Sequence, residues 1–237
     1  MAPKLNFFDS YSFKARILPA IFTIFTPIFI FNNFYTSPEL SKLIGSFSGS
    51  EVISNLTLST VFLFYFSQFG RLLGITLFEK RFFQGELNMP TTNFMLYSNT
   101  TYTRDFKIKF AEKVKKDFGY NLSSESEEKI DENTARMRIV EPMSAIRKKL
   151  FNNAFLLQHN IEYGAMRNAV GGSVIGSIIS ICNLIFFYKI HPNYLALILS
   201  SMLLSIFLLL IIFSKSIIYS YGSAYAKILF REYINET

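Results

Sequence analysis

The sequence predicts an all-α integral membrane protein with four transmembrane helices. A small cytoplasmic helical domain is expected between the second and third. Three observations carry the prediction. Half of the 237 residues are hydrophobic, with 27 Phe and no Trp. These apolar residues lie in long blocks, as a chain solvated by lipid requires, and are not dispersed as in a soluble core. The segments between blocks alternate between basic and nearly uncharged, the pattern that orients membrane proteins.

The arm over 1–16 carries Lys4, Lys14 and Arg16. The first span is expected at 17–35, long enough to cross a hydrocarbon core of about 30 Å at about 1.5 Å per residue. Pro19 falls in its first turn, where a missing N–H costs little. Pro27 falls mid-span and is expected to kink it, with neighbouring helices satisfying the freed carbonyl. The run ends in Asn32, Asn33, Phe34 and Tyr35. That is no small-residue cleavage site, so the segment reads as a retained span.

The second span is expected at 52–69. Asn55, Thr57, Ser59, Thr60, Ser67 and Gln68 make it semi-polar. Such groups need partners in lipid, which predicts a face turned to the bundle interior. Arg71 follows and can snorkel to the interface. "RLLGITLFEKR" (71–81) then reads as a helical extension or an interfacial segment.

Residues 70–168 are expected to form the cytoplasmic domain. "NMPTTNFMLYSNTTYT" (88–103) reads as a loop or short extended stretch. "TRDFKIKFAEKVKKDFG" (103–119) reads as a helix. Phe106, Phe110, Val114 and Phe118 recur on one face, lysines fill the other, and Gly119 ends it. "LSSESEEKIDEN" (122–133) is an acidic linker or helix start. A second helix is expected over 133–152, broken or bent by Pro142. A third starts near Ala154 and runs unbroken into the third span, 170–188. "KIHPN" closes a tight hairpin to the fourth span, 194–213. The tail, 214–237, is expected to carry the fourth helix past Phe213, with Tyr219, Tyr221, Tyr225 and Tyr233 as interfacial anchors.

Residues 79–168 hold 15 Lys and Arg against 12 Asp and Glu, and the tail adds Lys215, Lys227 and Arg231. The 36–51 loop has only Lys42 and the 188–193 loop only Lys189. Both termini and the domain are therefore expected on the cytoplasmic side. A net charge of +3 over 79–168, without aromatic–basic interleaving, argues against nucleic-acid binding.

A lone Cys182 excludes an intrachain disulfide or a Cys-rich metal site. His159 and His191 are far apart. No Gly-rich phosphate loop, HExxH or nucleophile elbow occurs, so neither catalysis, a metal nor a cofactor is expected. Two other patterns supply candidate sites. Gly172, Gly176 and Ser180 are spaced by four on the third span. Such a ribbon admits a close helix, either the fourth span of the same chain or a second copy. Asn160, Tyr163 and Arg167 form one helical stripe, followed by Asn168 at the mouth of the span, and Gly164 leaves room beside them. The stripe reads either as a snorkelling anchor or as a polar knot coupling domain to membrane.

Three pieces of the chain look familiar: "DSYSFKARILPA" (9–20), "PTTNFML" (90–96) with the following "RDFKIKFAEKV", and "NIEYGAMRN" (160–168). Their order resembles a family of uncharacterised bacterial inner-membrane proteins. These carry a Y-S-x-K-A-R-x-L-P entry, a P-T-T segment and an N-x-x-Y-G-x-x-R-N element. The chain departs from them at "RFFQGELNM" and in the acidic linker. The resemblance implies a bacterial inner-membrane location. It adds Pro90, Thr91 and Thr92 to Asn160, Tyr163, Arg167 and Asn168 as coupling or binding candidates, and implies no reaction. The layout is also similar to membrane effectors of anti-phage systems, an analogy of architecture.

The expected function is a membrane effector in phage defence or a toxin-like system. Its domain would sense a cytoplasmic protein or small-molecule trigger, and its spans would form a homo-oligomer that permeabilises the bilayer. The alternative is a non-catalytic anchor or scaffold that recruits a cytoplasmic partner.

Overall fold

The computed structural model describes residues 10–35 and 51–236, with side chains from 11–35 and 61–236. The described residues are helical without a strand. Helix α1 covers 10–34, α2 covers 51–83 and α3 is Pro90–Asn93. Then follow α4 (Arg104–Phe118), α5 (Glu125–Ile130), α6 (Glu132–Lys149), α7 (Ala154–Lys189), α8 (Tyr194–Ile212) and α9 (Ser214–Asn235). Four of these helices are long and apolar enough to cross a membrane: α1, α2, α7 and α8. They are consistent with a multi-pass membrane protein.

The chain divides into two compact units. The first holds residues up to Phe78 together with Gly164–Ser214, and the second holds Glu79–Tyr163 and Lys215–Thr237. Both α2 and α7 contribute to each. Helix α2 stays with the first unit through Phe78. The side chains of Asn55, Thr57, Ser59 and Thr60, expected to form a polar face, lie outside those described; Ser67 is buried, with its hydroxyl donating to the Phe64 carbonyl at 2.8 Å.

In the first unit, α1 starts before the expected 17 and contains two π-helical stretches, Phe13–Ile17 and Ile21–Phe25. Each lies just ahead of a proline. A π turn shifts the ladder by one residue, and the helix runs past each proline without a break. Ile30, Phe187 and Ala196 bring α1, α7 and α8 together, with Phe31 ringed by Phe186 at 5.0 Å and Phe187 at 5.9 Å.

The second unit packs around Phe110, Val114, Ile139, Met143 and Ile146. Helix α4 follows the expected face. The Thr103 hydroxyl caps its start by accepting from the Phe106 N–H, and Gly119 ends it at φ +77°. Three expectations need refinement or correction. Residues 88–103 are a loop except at Pro90–Asn93, where Pro90 starts a short helix, and the Phe94–Leu96 run is not solvated but buried in the core. Threonine and asparagine mark the turn, but the apolar triplet decides where the segment goes. Of the break or bend expected at Pro142, the break does not occur: α6 runs through it, and Pro142 and Met143 pack inward. Finally, the helix stops at Phe213 and restarts at Ser214, and α9 is a core element rather than a tail. Ala226, Leu229, Phe230 and Tyr233 recur at 0, 3, 4 and 7 and are fully buried. Tyr233, expected as an interfacial anchor, is among them.

Candidate functional site

In the first unit, two halves of the sequence pattern meet. Pro19 has no N–H, so the carbonyl of Ala15 lacks its α-helical donor. The buried Asn168 side chain donates to that carbonyl at 2.7 Å. A second asparagine, Asn183, donates to the Pro27 carbonyl at 2.8 Å, and the Thr23 hydroxyl donates to the Pro19 carbonyl at 2.8 Å. In a lipid-facing bundle such bonds replace those that water cannot supply. Arg167 sits beside them, its Nε donating to the Asn168 carboxamide at 3.3 Å. A Cβ added at Gly164 would lie 3.4 Å from the Ala15 Cβ, so the room expected beside the stripe is occupied by α1.

The small-residue ribbon is consumed inside the chain. A Cβ added at Gly172 would meet the Thr23 hydroxyl at 2.2 Å, and one at Gly176 the Thr23 carbonyl at 2.2 Å and the Phe207 ring at 2.8 Å. Ser180 is fully buried. The chief neighbour is therefore α1, with α8 contributing Phe207. Sequence reasoning missed a second crossing. A Cβ at Gly171 would fall 2.1 Å from the Gly70 carbonyl, and one at Gly74 would fall 2.5 Å from that of Arg167. Gly70 and Gly74 are themselves spaced by four, a signal that was present in the sequence.

In the second unit, Tyr163 donates to Glu79 at 2.6 Å and stacks against Tyr225, with ring centroids 6.5 Å apart. A Cβ at Gly222 would contact both Tyr163, at 3.4 Å, and Pro90, at 3.5 Å. Thr92 is buried and donates to the Glu86 carbonyl at 2.6 Å, while the buried Thr91 hydroxyl has no hydrogen-bond partner. Glu86 takes a two-pronged contact from Arg147, at 3.1 and 3.2 Å. Burial opposes the Arg147 charge, but Glu86 and Tyr225 hold it protonated above its ordinary value. Asn160 is half-buried on α7 and takes no part in these bonds. The stripe, expected either as a snorkelling anchor or as a polar knot, is divided between the units: Asn160 and Tyr163 belong to the second, Arg167 and Asn168 to the first.

Two further polar groups in this unit were not foreseen. Lys107, on the face expected to be solvated, is buried and donates to the carbonyls of Leu96 and Asn99. Burial pushes its ammonium below the ordinary value, opposed by Glu128. The Glu128 carboxylate accepts from the N–H groups of Tyr97 and Ser98 at 2.7 and 2.8 Å. Together they fasten the segment after α3. Asp117 accepts from Lys149 at 2.8 Å and from Tyr233 at 3.0 Å. The bond from Lys149 leads in holding its carboxyl below the usual range. These side chains are committed to holding backbone and helices in place.

Among the described residues no group of three or more His, Cys, Asp or Glu could hold a metal ion. One open groove in this unit lies between α4 and α9, with a volume of about 380 Å³. Tyr102, Phe106, Ile228 and Ile234 line it, and Lys227 and Arg231 are exposed at its edge. Tyr102 and Phe106 stack at 4.4 Å. Comparison of the chain with protein-family models, curated proteins and solved structures finds no match, so the family resemblance stands on the quoted motifs alone.

Proposed function

We propose that the chain is a non-catalytic membrane scaffold. Its second unit, on the cytoplasmic side of a bacterial inner membrane, receives a partner protein. The observation that carries this reading is the groove between α4 and α9. It combines an apolar aromatic floor with two exposed cations, Lys227 and Arg231, one helical turn apart. Interfaces favour such aromatic and arginine anchors. An acidic segment with apolar anchors complements it. The buried polar groups around it are tied up in the fold.

Permeabilisation of the bilayer by an oligomer has less support, because Gly172 and Gly176 face α1 and α8 of the same chain and Ser180 is buried. One observation favours it: the buried hydroxyls of Ser177, Ser180 and Ser200 in the first unit lack hydrogen-bond partners. Water in a conducting state would satisfy them.

A photo-crosslinking residue at position 228, in living cells, tests the scaffold, with the exposed position 109 as control. A discrete adduct at 228, lost in Lys227→Glu/Arg231→Glu and absent at 109, is the expected result. Membrane potential measured in the same cells is expected to stay unchanged on expression. Depolarisation without an adduct would reverse the choice between the two readings.

A further inference from the structure

Close contacts within the first unit set three helices at a common level. Ala15 of α1 meets Asn168 of α7 through a 2.7 Å hydrogen bond. A Cβ at Gly70 of α2 would stand 3.4 Å from the Asn168 carbonyl. The residue following Ala15 is Arg16, that following Gly70 is Arg71, and that preceding Asn168 is Arg167. Three arginines, one from each helix, therefore share one level of the unit. Each is partly exposed.

Beside one of them lies a groove of about 420 Å³, lined by Tyr65, Gln68, Phe69, Arg71, Leu72 and Ile75. Positions 65, 68, 69, 72 and 75 are one face of α2. Tyr65, Phe69 and Leu72 are all about half exposed, at 57, 50 and 53%. The lining thus presents a guanidinium and a carboxamide at one place and a long apolar strip along the helix. None of its residues is acidic. A guanidinium with a neighbouring amide donor matches a phosphodiester, and an apolar strip matches an acyl chain.

We propose that this groove holds an anionic phospholipid, its phosphate on Arg71 and Gln68 and its acyl chain along Phe69 and Tyr65, toward the start of α2. Arg16 and Arg167 at the same level add positive potential and favour an anionic over a zwitterionic headgroup. The proposal rests on the first unit lying in a bilayer.

The test uses the full chain, released into detergent from nanodiscs of phosphatidylcholine mixed with phosphatidylglycerol, and native mass spectrometry to read retained lipid. Wild type is expected to keep phosphatidylglycerol in preference to phosphatidylcholine. Arg71→Gln should lower that retention about tenfold, the size of one charge-assisted hydrogen bond. Gln68→Leu should lower it less, and Arg71→Lys should restore part of it. Lys189→Gln, at the far end of α7, should leave it unchanged. Circular dichroism and monodispersity show that each variant is folded. Equal retention of the two lipids, or full retention in both Arg71→Gln and Gln68→Leu, overturns the lipid site while leaving the membrane reading intact. Extraction of wild type from cell membranes by alkaline carbonate overturns the membrane reading itself, and the lipid site with it.

Discussion

Lys107 shows how a single residue can defeat a periodicity argument. Its position in "RDFKIKF" places it among lysines, and its neighbour Lys109 is exposed as expected. Yet Lys107 reaches inward, because two backbone carbonyls after α3, those of Leu96 and Asn99, converge where its ammonium can reach both. A buried carbonyl without a donor is costly, and so is a carboxylate whose nearby cation is removed. Lys107→Met is expected to destabilise the second unit by about 3 kcal/mol, whereas Lys109→Met should change it by less than about 0.5 kcal/mol. Hydrogen exchange of the full chain in micelles, read on peptides covering 94–103, checks this. Equal protection in the two variants would remove Lys107 from its assigned role. At the same scale, the Asn168 carboxamide supplies the Ala15 carbonyl with the donor that Pro19 lacks.

Elements were legible where pattern and environment agree. Helix α4 reads directly from its Phe106–Phe118 face and its caps, and α7 continues unbroken from Ala154 as its composition implies. Helix α1 has two prolines yet stays helical, with π stretches ahead of them and asparagines of α7 donating to its carbonyls. This makes a thermodynamic cycle informative. Asn168→Ala should cost about 1 kcal/mol in the natural background, the scale of hydrogen bonds between membrane helices. In a Pro19→Ala background it should cost clearly less, because the substituted residue restores an N–H to the Ala15 carbonyl. Unfolding midpoints in a denaturing-detergent titration give all four corners. An identical cost in both backgrounds would mean that Asn168 does not compensate for the proline.

At the scale of the whole molecule, each unit has its own chemistry. The first is held by glycine crossings and by donors supplied to helix carbonyls. The second is held by an aromatic core edged with ion pairs. There, Asp117 on α4 joins Lys149 of α6 and Tyr233 of α9. Its carboxyl is held below its usual value, so its stabilisation is fully present above the unfolded value of about 3.9. It is lost as pH falls through the lower, folded value. Acidification below about pH 4 should therefore loosen the contact between α4 and α9, seen as loss of tyrosine near-ultraviolet circular dichroism. Asp117→Asn should flatten part of that dependence. A variant with the full wild-type acid response would show that other carboxylates carry it.

The helical class, the four apolar helices and the amphipathic face of α4 were determined by the sequence alone. Each rests on local composition and period, which one segment carries by itself. What only the tertiary structure decided is which partner each special residue takes. Gly172 and Gly176 meet α1, and Gly171 meets Gly70 of α2. Tyr233 turns into a core built from segments more than a hundred residues apart. Lys107 finds carbonyls on another segment. A residue's chemistry limits what it can bond, but the fold alone brings distant backbone atoms within reach. That is why the pieces of the sequence pattern were recognisable before the structure, and their division between two units was not.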